Sequence, residues 1–448
     1  MVKMDPNEIR LKAHLGIVTS DTSTVQFSFF VTPLKNRTWV GKEDYVMIDH
    51  PVFGELCPVL AMVKEIRNYE EVVGTSVRVG EKSVEMVAVG EIIGYVDLRD
   101  SKAKPMRKLF VPPNTGSRVY LPYFEFLEDV FLRGVDGRLF EHALHVGRLE
   151  SLANDRKGDA KPLNFCLDAE DFSRQHFLVA GVSGAGKTHT ASVIVEELAN
   201  KTGCHMVVLD PYGEYTTVGA AGSRFKELVE DGGVSAEDYL FDFEVSIYCC
   251  DPERVSNDLK KRGIRLGRNA RFSVNPVSGR WMETPGKEAE VEMKNVLKEG
   301  VDSSQVTVIG SRGLSPGETR NFFACCVRAL WSGRVDGSVE PFVLVVEEAE
   351  SLDAETLGRI ASEGRKFEVS LCLLSQHPTD IDRRVLSQMG TQFMGRTTDA
   401  GDLEYLRNMA GEKSSLLPQL RTGEWIVNGI TLKRPTKVFV RDRYSLDV

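Results

Sequence analysis

Cysteine is scarce and badly spaced for chemistry: there are eight in 448 residues, including the adjacent pairs Cys249-Cys250 and Cys325-Cys326, and no CxxC. That pattern argues against a disulfide framework and against a zinc site, and it fits buried thiols in a reducing cytosol. Histidine is equally thin, and its one close pair, His142 and His145, reads as a surface or core feature, not a metal centre. Long apolar runs are missing. No segment approaches the roughly 20 residues of a membrane span, and the opening MVKMDPNEIRLKAHLG has no apolar leader core. No membrane contact and a cytoplasmic location are therefore expected. Positive charge is in deficit, with a net charge of −9. This excludes a protein that coats nucleic acid through overall basicity, but not one that gathers its cations in a channel. Internal repeats and low-complexity tracts are absent.

What is present is an ordinary globular balance, 42% apolar and 27% charged, over a length that suits two or three domains. Residues 15–98 read as short strands without helices between them: LGIVTS, TVQFSFFVT, DYVMIDH, GTSVRVG and VEMVAVGEIIGYVD, with RKLFVPP just beyond. Period-two apolar residues with Gly, Asp and Asn punctuation predict a small β-barrel, placed at residues 1–110. Residues 111–160 read as a connector, with a helical YFEFLEDVFLRG and an exposed turn at NDRKGD. From residue 161 to 425, apolar runs alternate with helical patterns, the signature of an α/β fold with a parallel sheet. Its strands are FLVAG, HMVVLD, VSIYC, VTVIG, PFVLVVEE, VSLCLLSQ and TQFMGR, and its helices include ETRNFFACCVRALW and AETLGRIASEGRKF. KEAEVEMKNVLKEG reads as an acidic, solvated peripheral helix. Residues 426–448 return to strand.

The chemistry centres on FLVAGVSGAGKTHTASVIVEELA. A strand runs into Gly181-Val182-Ser183-Gly184-Ala185-Gly186-Lys187-Thr188 and then into a helix, which is G-x-x-x-x-G-K-[ST] in its proper setting. The glycines let successive N–H groups converge on one anion, and the helix N-terminus adds positive potential. Lys187 suits the β/γ-phosphates, and the Thr188 hydroxyl suits Mg²⁺. ATP and Mg²⁺ are the expected cofactors.

Further polar groups fall at the expected carboxyl ends of the strands. PFVLVV closes on two carboxylates, of which Glu347 is assigned to the metal and Glu348 to polarising the attacking water. The usual first residue is Asp, so Glu347 is a longer-armed departure; an acidic helix start is the plainer alternative. Gln376 either senses the γ-phosphate and positions water or caps a loop. Asp210 and Glu214, in DPYGEY, either face the nucleotide or build a turn on Asp-Pro and Gly. Arg365 either serves a neighbouring subunit's γ-phosphate or neutralises a helix C-terminus, with Arg396 and Arg174 as further candidates. Residues 254–271 hold seven cations, from Arg254 to Arg271, against the single acid Asp258. They form either a phosphate contact or a solvated helix face.

Taken in order, RQHFLVAGVSGAGKT, DPYGEY, LVVEEAESL, IASEGRKFEVSLCLLSQHP, GTQFMGRT and GEWIVNG resemble the HerA family of ring-forming P-loop motors. The resemblance spans nearly the whole chain. It implies a RecA-like P-loop NTPase core, a small N-terminal barrel like that of the rotary ATP synthases, and a C-terminal strand brace laid on a neighbour. It also implies a homo-hexameric ATP-driven translocase or helicase on double-stranded DNA that works with a NurA-like nuclease in end resection and break repair. By the same match Lys187, Thr188, Glu347, Glu348 and Gln376 form the hydrolytic set and Arg365 is the trans finger. Two positions depart: Glu350 stands where the family usually has His, and His377 interrupts Gln-Arg-Pro. The alternative class is a P-loop nucleotide switch that regulates a partner without moving DNA. Intact Glu348 and Gln376 favour the motor.

Overall fold

The computed structural model describes residues 9–10, 14–31, 40–68, 86–99, 105–133, 138–154, 160–170, 174–230, 241, 243–266, 271–277, 287–352, 354–429, 432 and 434–446. They fall into two compact units: Met1–Phe140 with Arg148–Cys166, and Glu141–Gly147 with Leu167–Val448.

The first unit is a closed antiparallel barrel. Its strands are β1 (Gly16–Thr22), β2 (Gln26–Val31), β3 (Tyr45–His50), β4 (Gly54–Asn68), β5 (Met86–Tyr95) and β6 (Arg118–Tyr120), in the order β1-β2-β5-β4-β3-β6. Alternate residues fill the interior: Phe27 and Phe29 from β2, Val46 and Ile48 from β3, Val59, Ala61 and Val63 from β4. Gly16 is required by close approach, since a Cβ there would lie 1.9 Å from the Phe30 carbonyl oxygen. The longest strand, β4, is absent from the sequence reading. Its unalternating CPVLAMV run and Pro58 hide the period, and the register shifts against β5 at Leu60/Ala61 and Val63/Glu65. RKLFVPP is not a strand; it offers only the isolated bridge from Arg107 to Tyr95, although Leu109 reaches the core. GTSVRVG lies outside the described residues. The predicted helix forms at Phe124–Phe131 (α1).

The second unit carries parallel strands in the order β12-β11-β13-β10-β14-β15-β9-β16. These are β9 (His176–Ala180), β10 (His205–Asp210), β11 (Val245–Cys249), β12 (Phe272–Pro276), β13 (Val306–Gly310), β14 (Phe342–Val346), β15 (Val369–Ser375) and β16 (Met389–Met394), with β7 (Ala143–Asn154) and β8 (Ala160–Asp168) preceding them in the chain. Every residue of β9, β11, β13, β14 and β15 is buried, as a sheet covered on both faces requires. Helices α2 (Lys187–Lys201), α3 (Ser223–Glu230), α4 (Pro252–Lys261), α5 (Lys287–Ser303), α6 (Pro316–Val335), α7 (Ala354–Glu363) and α8 (Ala400–Ala410) connect them. The segment read as a peripheral acidic helix, α5, instead sends Ala289, Met293, Leu297 and Val301 into the main core. Its charges line the outer face while an i, i+4, i+8 stripe packs inward. The C-terminal strands expected as a brace extend the chain's own sheet, β17 (Glu424–Gly429) antiparallel to β16 and β18 (Thr436–Val440) antiparallel to β17.

Candidate nucleotide site

The phosphate loop leaves β9 at Ala180, where β15 and β16 flank it in parallel register with Ser375 and Met394 opposite. Backbone bonds hold the start of the loop to both neighbouring strand ends: Gly181 N–H donates to Ser375 O at 3.2 Å and Val182 N–H to Arg396 O at 2.9 Å. Gly184 and Gly186 take left-handed φ of 75° and 99°, a region costly for residues with a Cβ. Gly186 is also the N-cap of α2, so no side chain caps that terminus, and its first turn carries no acid. The helix therefore keeps its free N–H groups and positive end for an anion.

Lys187 is 8% exposed and donates from Nζ to Gly181 O at 3.1 Å. Burial pulls its pKa below the ordinary lysine value, against the opposing pull of Glu348, Glu347, Glu350 and Glu214. Glu347 is 3% exposed and accepts the Tyr215 hydroxyl at 2.6 Å and a hydrogen bond from Thr188. Burial pushes its pKa up to about 7, opposed by those two donors and reinforced by Asp210 and Glu214. Glu348 holds φ at 50°, the left-handed region that favours glycine, a strain on the order of 1–3 kcal/mol. In that conformation its Oε1 accepts Gln376 Nε2 at 2.9 Å. Glu350 accepts the Gln376 N–H at 3.2 Å and is driven up in pKa by burial.

A hydroxyl and a carboxylate are hard oxygen donors, the kind Mg²⁺ selects. No group of three or more His, Cys, Asp or Glu that could cage a metal exists among the described residues. Mg²⁺ keeps waters and is shared with substrate phosphates, so one hydroxyl and one carboxylate are the donors it would use here. Several carboxylates facing a polyphosphate also need such a cation between them.

The structure thus brings Lys187, Thr188, Glu347, Glu348 and Gln376 together at one sheet edge. Asp210 differs. It is fully buried, and its Oδ1 accepts the N–H groups of Tyr212, Gly213 and Glu214 at 3.2, 2.7 and 3.0 Å, while Oδ2 accepts that of Tyr215 at 2.9 Å. With both oxygens engaged it builds the turn; Glu214, half-buried, is the member of DPYGEY whose charge reaches Lys187. Arg365 is exposed in the 3-10 turn Gly364–Phe367, before β15 begins. The strand between places it about 20 Å from its own phosphate loop, at the opposite sheet edge. Arg174 is likewise before β9, paired with Glu170 at 3.7 Å. Of the three arginines, Arg396 alone sits beside the loop of its own chain.

Sequence reasoning missed three contributors. Tyr215 looks like a turn residue, Glu350 like helix-start acidity, and Thr422-Gly423 like a loop. Yet Thr422 Oγ1 donates to Gly184 O at 2.9 Å and Gly423 N–H to Ala185 O at 3.1 Å, latching the phosphate loop from the C-terminal hairpin. The basic island splits. Asp251 caps α4 by accepting Arg254 N–H at 3.1 Å, with Pro252 at the first turn. Arg254 and Arg262 then line a cleft with Asp258, Gly213, Thr216 and Arg312, whereas Arg268 lies outside the described residues. Arg312, at the carboxyl end of β13, was not anticipated.

Residues 144–254 match the family described as Helicase HerA, central domain. The chain is 22% identical to the DNA double-strand break repair helicase HerA of Pyrococcus furiosus, covering 96% of this chain and 92% of that one. It is 24% identical to a probable helicase of Methanocaldococcus jannaschii over 80% of each chain, and 36% identical over 110 residues to the HerA of Sulfurisphaera tokodaii. Solved structures similar to it include VirB4 of Thermoanaerobacter pseudethanolicus, at 15% identity and a TM-score of 0.38 over 66% of this chain and 97% of that one. The phosphate loop thus lies inside the segment that matches the HerA central domain, and over most of its length the chain is similar to HerA helicases.

Proposed function

We propose that this chain is the subunit of an ATP-driven double-stranded DNA translocase or helicase that acts in break repair, as a hexameric ring feeding a NurA-like nuclease. The observation that carries the hydrolytic part is the pairing of Glu348 with Gln376 at 2.9 Å beside Lys187. Lys187 and the α2 amides would hold the β/γ-phosphates, and Thr188 and Glu347 would hold Mg²⁺. Bound Mg²⁺ would neutralise charge on the phosphate oxygens. Glu348 accepts the proton of the attacking water, and Gln376 fixes the carboxylate that does so. Arg365, remote from its own loop, serves the next subunit. The names of the HerA relatives support the DNA repair role, and the arginine-lined cleft supports contact with a phosphodiester backbone.

The test is steady-state ATP turnover with and without linear duplex DNA. A motor is stimulated by the duplex and loses the stimulation as salt rises. Turnover indifferent to DNA at low salt would return the chain to the nucleotide-switch class.

A further inference from the structure

Tyr215 is completely buried, yet its hydroxyl meets a carboxylate 132 positions away, Oε1 of Glu347, at 2.6 Å. A phenol in an apolar interior needs a partner, and this one is tightly delivered. Four backbone N–H groups, those of residues 212 to 215, converge on buried Asp210, and Gly213 supplies a φ of 81°. The turn thus has one geometry available to it. On the receiving side, Glu347 occupies a position that usually holds Asp. Its extra methylene adds a rotor between the strand and the carboxylate, and a longer arm is harder to hold in one place.

We propose that Tyr215 is a positioning residue for Glu347: its hydroxyl pins the longer carboxylate against Thr188, so that the 210–215 turn sets the affinity of the site for Mg²⁺ carried by the nucleotide. This rests on Glu347 being the metal-side carboxylate. Tyr215 itself touches neither nucleotide nor metal.

The experiment titrates Mg²⁺ into the full-length protein with a fluorescent non-hydrolysable ATP analogue and reads analogue binding, with a parallel measurement in EDTA. Tyr215→Phe keeps the ring and removes the donor. Its half-saturating Mg²⁺ concentration rises about tenfold, the scale of one lost hydrogen bond to a charged group, while binding in EDTA stays within about twofold. Glu347→Asp draws the carboxylate back from the phenol, so adding Tyr215→Phe in that background changes Mg²⁺ dependence by less than about twofold. A purely structural tyrosine would lower both affinities alike and carry the same penalty in both backgrounds. Should the phenylalanine variant not fold, Asp210→Asn loosens the turn from its other end and must raise the Mg²⁺ requirement in the same direction. Unchanged Mg²⁺ dependence in folded Tyr215→Phe, with Glu347→Ala strongly impaired, overturns the proposal alone. Unchanged Mg²⁺ dependence in Glu347→Ala overturns the metal assignment beneath it.

Discussion

Lys187 donates from Nζ to the Gly181 carbonyl, which holds its ammonium within the phosphate loop. Lys187→Ala should abolish ATP hydrolysis and weaken nucleotide binding while the fold persists, which a melting curve and an equilibrium binding assay would report together. Glu348→Gln should bind ATP yet turn it over at least about a hundredfold more slowly, the scale of a lost general base. Near-normal turnover in that variant would shift the role to another carboxylate, Glu347 first. Most of these side chains were legible because the loop is a local pattern: glycine, lysine and threonine at fixed spacing between an apolar strand and a helix. Tyr215 was not, because its partner lies 132 residues away and nothing in DPYGEY marks the hydroxyl as more than turn chemistry. Asp210 looked equally suited to nucleotide or turn, and only the four converging amides decide between them.

β9 and β15 are locked at the edge opposite the loop by His176, which is wholly buried. Its Nδ1 accepts the Leu371 N–H at 3.0 Å and its Nε2–H donates to Ala361 O at 3.1 Å, so both ring nitrogens are committed to the neutral form. Burial, with the nearby Arg365 charge, depresses its pKa from 6.5 to about 4. The unfolded chain therefore takes up a proton that the fold refuses. The stability contribution is complete above pH 6.5 and is lost as pH falls toward 4, at on the order of 1 kcal/mol per pH unit. Urea titrations at pH 7 and pH 5 should show a larger acid loss in the native chain than in His176→Asn; equal losses would remove His176 as the cause. The short turn that follows α7 carries Arg365 into solvent, which predicts complementation. Arg365→Ala and Glu348→Gln are each inactive, but mixed rings recover turnover at interfaces that combine an intact Arg365 with an intact Glu348. No recovery at any ratio, with subunit exchange demonstrated, would count against a trans role. At this scale the strand β4 and the burial of α5 escaped the sequence for one reason: composition describes a segment's average, whereas pairing and packing are set by one face of it.

Over the whole molecule, a charge of −9 leaves little general affinity for DNA, so the proposed translocase must concentrate its cations where a duplex would pass. Lys260, Arg262 and Arg312 replaced by Ala should weaken duplex binding without sequence preference and flatten its dependence on salt, because fewer counterions are released. A salt slope identical to the native one would move the contact elsewhere. The barrel exposes Phe53 and Phe110, at 47% and 79%, and a nuclease docked there would cover such residues. Phe53→Ser with Phe110→Ser should then reduce co-purification with the nuclease while leaving ATP binding intact; unchanged co-purification places the dock off the barrel. The central claim is that ATP turnover moves this protein along duplex DNA, and displacement of a third strand from a linear triplex measures that directly. Displacement should require hydrolysable ATP, proceed from the native chain, and vanish in Glu348→Gln although that variant still binds nucleotide and DNA. ATP-independent displacement, or none from a chain whose turnover the same DNA stimulates, would contradict the account.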